Sequence, residues 1–166
     1  MHSLVKKAQR GDPDAFVSLI EQCKGGMYRI AKGFFAGEAD VADAIGEAVL
    51  AAYEHIGELK NPQYFRTWLM RILINTCNQM IRDNGRYEMV EAVPETAGAG
   101  EGFADVEFRE MLASIPEDSR AIVLLYYGEQ FTTREIAQIL AVNENTVRSR
   151  LRRIRGELRR TLVYSI

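Results

Sequence analysis

Apolar residues recur along this chain at three- and four-residue intervals, the spacing of one helix face. No stretch alternates every second residue between hairpin turns, as a half-buried strand would. The pattern predicts an all-α protein. Asp12-Pro13 is a helix start, followed by Phe16, Leu19 and Ile20 with Ala15 on the same side. Gly25-Gly26 then either ends that helix or loosens it before Met27, Ile30, Phe34 and Phe35. Asp40 or Asp43 opens a third segment carrying Ile45, Val49, Leu50 and Tyr53 and ending near Gly57. Asn61-Pro62 marks a turn that presets another helix start. Beyond it, Phe65, Trp68, Leu69, Ile72 and Leu73 fall at i, i+3, i+4, i+7 and i+8, one continuous apolar stripe.

Between residues 84 and 104 the periodicity stops. Val93-Pro94-Glu95-Thr96-Ala97-Gly98-Ala99-Gly100-Glu101-Gly102 is small, Gly-rich and acidic, a composition that cannot bury a core and reads as a flexible linker. Helical spacing resumes over 105–114, and Pro116 starts a further helix through Ile122, Leu125 and Tyr126. The expected organisation is therefore two small helical domains, residues 1–85 and 105–166, joined by the linker 86–104.

Composition agrees and narrows the classes. With 166 residues and 47% apolar content, the chain has enough for two small helical domains or one medium one. The start, Met1-His2-Ser3-Leu4-Val5-Lys6-Lys7, has a basic pair but no apolar region after it, so no signal peptide is expected. No apolar run approaches the roughly 20 residues of a membrane span, and a cytoplasmic protein without membrane insertion is the expectation. Cys23 and Cys77 lie inside helical patterns without CxxC spacing and read as buried structural thiols. His2 and His55 are isolated, so neither a metal site nor a cofactor is expected. A Gly-rich phosphate loop after a strand, paired histidines, and a Ser–His or Cys–His constellation are all missing, which argues against an enzyme.

A net charge of −2 first argues against a nucleic-acid binder, but it conceals an asymmetry. Residues 1–85 carry ten basic and ten acidic residues, 86–110 two and seven, and 111–166 nine and six. Most of the C-terminal excess lies in Arg148, Arg150, Arg152, Arg153, Arg155, Arg159 and Arg160, opposed by Glu157 alone.

That segment follows a helix-turn-helix layout. Thr132-Thr133-Arg134-Glu135 fits a capping box, and the helix it opens bears Ile136, Ala137, Ile139 and Leu140. After Ala141-Val142, Asn143 is a good N-cap for a second helix. In that helix Val147, Leu151, Ile154 and Leu158 fall within a narrow wedge and face the core. Asn145, Arg148, Ser149 and Arg152 occupy the other side, near the end that enters the major groove in this motif. Arginine can hold guanine bidentately, and Asn or Ser can bond base edges or phosphates. Arg153, Arg155, Arg159 and Arg160 are then candidates for phosphate contacts, which add affinity without reading sequence. A plain solvated basic face explains an arginine-rich helix alone; the capped helix and tight turn before it weigh against that.

These residues carry a family resemblance. Ser114-Ile115-Pro116-Glu117-Asp118-Ser119-Arg120, Leu125-Tyr126-Tyr127, Thr133-Arg134-Glu135-Ile136-Ala137 and Asn145-Thr146-Val147-Arg148-Ser149-Arg150-Leu151 resemble domain 4 of bacterial sigma factors of the extracytoplasmic-function group. Independently, Gln9-Arg10-Gly11-Asp12-Pro13-Asp14-Ala15-Phe16, Ala42-Asp43-Ala44 with Glu47, and Phe65-Arg66-Thr67-Trp68-Leu69-Met70-Arg71-Ile72 with Asn75 resemble domain 2. The resemblance implies a protein that docks on core RNA polymerase, on the clamp helices of the largest subunit and on the flap, with Asp43 and Glu47 on the clamp-binding helix. It implies that residues 58–63 and the helix after them read and open the −10 element. Leu59 and Asn75 match the family's base-capture positions, with Tyr64 exposed beside them and Lys60, Arg66, Arg71 and Arg82 placed to follow the backbone. Trp68 reads as core. Asn145, Arg148, Ser149, Arg152 and Arg153 would take the −35 element. The implied partners are core polymerase, double-stranded and melted promoter DNA, and an anti-sigma factor. Gly46 stands where the family usually has glutamine, Val49 where it has phenylalanine, and Ala141 where the turn often has glycine. The competing readings are a helix-turn-helix regulator that never joins the polymerase, and a helical interaction module without DNA binding.

Overall fold

The computed structural model describes residues 1–84, 110 and 112–164. Among these residues every regular element is helical. The chain falls into two units, Met1–Met89 and Val90–Ile166. The expected linker 86–104, and most of the helix expected over 105–114, lie outside the described residues; 112–114 are helical.

The first unit opens with α1 (His2–Gln9), a helix the apolar pattern did not announce. Eight residues with a buried pair, Val5 and Ala8, give too short a stripe to read, and it is packing on α2 that holds them. Gly11, at φ +95, closes α1 in the left-handed conformation that glycine adopts without a Cβ penalty. Asp12 then caps α2 (Pro13–Phe34), its Oδ1 accepting from the backbone N–H of Asp14 at 3.0 Å and of Ala15 at 3.2 Å.

Two expectations are corrected in this region. Helix α2 runs unbroken through Gly25-Gly26, because Cys23, Gly26, Met27 and Ile30 are all buried and packing outweighs about 1 kcal/mol of helix propensity per glycine. The next helix, α3 (Glu38–His55), begins before Asp40. Its first residue is pinned to the end of α2: Glu38 Oε1 accepts from the Tyr28 hydroxyl at 2.8 Å and pairs with Lys32 Nζ at 2.6 Å.

The buried face of α3 is also not the expected one. Val41, Ala44, Ala48 and Ala52 point inward, while Leu50 and Tyr53 are 58% and 53% exposed. Small side chains let α3 lie close to α2 and α4; Ile45 and Val49 flank that face half-buried, and Leu50 and Tyr53 remain on the opposite one. Two 3-10 turns, Ile56–Glu58 and Pro62–Tyr64, lead into α4 (Phe65–Asn84). There Phe65, Leu69, Leu73 and Cys77 are wholly buried, whereas Trp68 and Ile72, expected in the same stripe, are only half-buried. The Trp68 ring leans on Phe65 at 5.9 Å between centroids. Burial pushes the Cys77 thiol up from 9.0 to about 12.

In the second unit, α5 (Glu117–Val123) continues as a π-helical turn, Leu124–Gly128, before α6 (Thr133–Leu140) and α7 (Glu144–Tyr164). The Arg120 guanidinium donates to the carbonyls of Ile115 at 3.1 Å and Ala113 at 3.3 Å, tying the end of the preceding turn to α5. The core joins Ile122 and Leu125 to Ile136, Ile139, Val147, Leu151 and Ile154.

Candidate nucleic-acid interface

Local chemistry sets the geometry of α6 and α7. The Thr132 hydroxyl accepts from Glu135 N at 3.1 Å while Glu135 Oε2 accepts from Thr132 N at 2.8 Å, the reciprocal capping that the sequence predicts. Ala141 ends α6 at φ 53, the left-handed region, and Val142 N–H returns to the Ala137 carbonyl at 3.0 Å. Asn143 caps α7, with its Oδ1 accepting from Asn145 N at 2.8 Å.

This turn directs one face of α7 inward through Val147, Leu151 and Ile154, all buried, while Leu158, expected in the same wedge, is only half-buried. Asn145, Arg148, Ser149, Arg152 and Arg153 are exposed, as are Arg155, Arg159 and Arg160. The cationic groups are not equivalent. Arg148 donates to Glu144 Oε1 at 2.8 Å, and the same carboxylate oxygen accepts from the Thr133 hydroxyl at 3.0 Å, linking the starts of α6 and α7. Arg155 donates through Nε to the Tyr127 hydroxyl at 2.9 Å and lies 5.6 Å from the centre of the Tyr126 ring. That hydrogen bond pushes the guanidinium further above its ordinary pKa. Sequence reading missed Tyr127, because nothing local links the π-helical turn to a residue 28 positions on.

In the first unit the candidate melting residues belong to the second turn region and α4. Leu59 is half-buried; Lys60 is exposed and Tyr64 is 49% exposed. Arg71, Asn75 and Arg82 are exposed on α4. At about 100° per residue they fall within some 40° of one another, a single stripe along the helix. Arg82 is steadied by Gln79 Oε1 at 2.8 Å, and Gln79 in turn donates to Asp83 at 2.7 Å. Arginines flanking an amide on one exposed line can follow a phosphate backbone while the amide meets a base edge.

Helix α3 presents a different surface. Opposite its alanine stripe, Asp43 and Glu47 share an exposed face with Gly46, Leu50 and Tyr53. Apolar centres rimmed by carboxylates suit a protein partner with basic groups, not DNA. The sequence reading placed Asp43 and Glu47 on this helix; Leu50 and Tyr53 belong with them, and an alanine-lined wheel was the signal.

Comparison with known proteins covers both units. Residues 19–87 match the family described as Sigma-70 region 2, and residues 105–158 match Sigma-70, region 4. The chain is 29% identical over 171 residues to the ECF RNA polymerase sigma-E factor of Escherichia coli K12, covering 92% of this chain and 88% of that protein. It is 27% identical to the probable RNA polymerase sigma factor RfaY of Xanthomonas campestris, matching 98% of this chain but 44% of that longer protein. Its fold is similar to that of the sigma factor RpoE of Bartonella quintana, solved in complex with the anti-sigma factor NepR, at a TM-score of 0.74 and 17% identity over 89% of this chain and 96% of that one.

Proposed function

The chain belongs to the sigma-70 family, in its extracytoplasmic-function group, and from that premise we propose that it is an alternative sigma factor that binds core RNA polymerase, recognises −35 and −10 promoter elements and starts transcription there. The observation that carries this is the pairing, in one chain and in order, of a region 2 unit and a region 4 unit whose helix α7 turns an arginine face to solvent.

Each surface takes a share of the work. The acidic and apolar face of α3 docks on the polymerase clamp helices through Asp43 and Glu47. The exposed face of α7 lies in the major groove at the −35 element, where Arg148 and Arg152 reach base edges and Arg153, Arg155, Arg159 and Arg160 meet phosphates. At the −10 element Leu59 and Asn75 receive an unstacked base, Tyr64 offers a ring to stack on, and Lys60, Arg71 and Arg82 hold the strand. Unstacking takes a few kcal/mol, which stacking and edge hydrogen bonds at such a site offset. An anti-sigma factor is a further partner, as for the Bartonella quintana relative of the same fold.

Co-elution of the purified protein with bacterial core RNA polymerase, without DNA, tests the reading before any promoter is known. Stable association followed by specific run-off products from genomic fragments is the expected outcome. Failure to associate, beside a known sigma factor that does, would assign the chain instead to DNA-binding regulators that never join the polymerase.

A further inference from the structure

We propose that Gln9 is the positioning residue of the promoter-reading turn: its side-chain amide locks the backbone from Ile56 to Leu59, so that Leu59 meets the unstacked base in one conformation. This rests on the −10 role given above to Leu59.

Gln9 is the last residue of α1, far in sequence from the turn. Its Nε2 donates to the carbonyl of Ile56 at 3.0 Å and to that of Leu59 at 2.8 Å. Carbonyl oxygens only accept, so the amide must present its nitrogen here, and both of its N–H groups are committed. The two carbonyls bracket the 3-10 turn. Leu59 is held from both directions, since its own N–H donates to Ile56 O at 3.3 Å while its C=O receives Gln9.

Packing alone does not hold this segment. Ile56 is buried and Leu59 half-buried, but Gly57, Glu58 and Lys60 are exposed, and a Cβ placed on Gly57 would meet no atom within 4 Å. The His55–Glu58 contact at 3.1 Å is exposed and local to the turn. Beyond Lys60, Asn61 Oδ1 accepts from Gln63 N at 3.2 Å and Asn61 O from Tyr64 N at 3.1 Å, which steadies the second turn. Gln9 supplies the corresponding anchor for the first. Its own place is set by α1, through buried Val5 and Ala8 and through the Gly11 turn, where Asp12 N–H returns to Lys7 O at 3.1 Å. Short α1 thus acts as a strut beneath a turn that has little side-chain packing of its own. A turn free to relax would shift to accept a wrong base, and discrimination would fall although every contacting side chain remained.

The test is selection by holoenzyme, full chain plus bacterial core polymerase, from fork-junction DNA whose single-stranded −10 segment is randomised. Wild type is expected to enrich a defined motif. Gln9→Met, of similar length but without donors, is expected to stay on core polymerase yet lose about tenfold of the enrichment at the sharpest position, the equivalent of one net hydrogen bond. Gln9→Lys, which restores N–H donors, is expected to recover much of it, a rescue that a general packing defect would not show. Core-bound Gln9→Met that selects as sharply as wild type overturns the proposal. Should Gln9→Met fail to hold core, Gln9→Lys decides: a sharp motif supports the anchor, and a blurred one from a core-competent protein overturns it. A wild-type holoenzyme that enriches no motif while its Leu59→Ala variant behaves identically overturns the −10 reading beneath it.

Discussion

Arg148 and Arg152 stand about 40° apart on the exposed face of α7, about one and two turns from its capped start. Arg148 must exchange its Glu144 partner for a base, a small demand because a solvated i,i+4 pair is worth only about 0.3–0.5 kcal/mol. Arg148→Ala and Arg152→Ala are each expected to weaken binding to the preferred −35 sequence by about 1–3 kcal/mol and to narrow its margin over scrambled DNA. Equal loss on every sequence, measured by competition titration, would make them phosphate contacts. Arg155 differs because Tyr127 already holds it; Arg155→Ala should lower affinity for all sequences alike and reduce the salt slope by about one. Ala141 offers a separate check of backbone strain. At φ 53 its Cβ is crowded as glycine's hydrogen would not be, and the residue is exposed, so no packing is lost on truncation. Ala141→Gly is expected to stabilise the second unit by about 1 kcal/mol, read as a higher urea midpoint at unchanged slope.

Among the elements, α3 is where stability and docking come apart. Its alanine stripe serves the fold and its outward Leu50 does not, so substitutions on the two faces should read out differently; Tyr53 is shared, its half-exposed ring lying edge-on to buried Phe16 at 5.1 Å. Gly46 lies on the outward face, and a Cβ there meets nothing within 4 Å. Gly46→Ala should therefore stabilise the first unit by about 1 kcal/mol in thermal unfolding. Leu50→Lys, which places a cation between Glu47 and Glu54, should leave unfolding within about 0.5 kcal/mol of wild type, as expected for an exposed site. The same change should abolish co-elution with core polymerase; retention of core binding would remove this face from the docking surface. The departure at Gly46 from the usual family glutamine is then a loss of helix propensity and of one side chain at the surface, with no strain in the fold.

For the whole molecule, alkaline pH offers a linkage test. The buried Cys77 thiol ionises near 9 when unfolded and is pushed up to about 12 in the fold, so the folded state disfavours the thiolate. A raised pKa places the sign: the stability linked to Cys77 is intact below pH 9 and is lost as pH climbs from 9 toward 12. Cys77→Ala should flatten that decline at the cost of a small cavity, and equilibrium unfolding across pH 8–11 measures it. Both cysteines are buried and neither forms a disulfide, so a thiol reagent should react with neither until the first unit opens.

Local rules made much of this protein legible from its residues in order. The all-α class, the caps at Asp12, Thr132 and Asn143, and the inward wedge of Val147, Leu151 and Ile154 depend on groups within one or two helical turns of each other. Capping and helical period act at that range whatever the surroundings. Which face of α3 is buried, the passage of α2 through Gly25-Gly26, and the existence of α1 were decided by tertiary packing, because close approach of helices rewards small or flexible residues that a hydrophobicity pattern ranks low. The two contacts that refine the site, Gln9 on the Ile56–Leu59 turn and Tyr127 on Arg155, join residues 47, 50 and 28 positions apart. Sequence supplied the donors and acceptors; only the fold brought them within 3 Å.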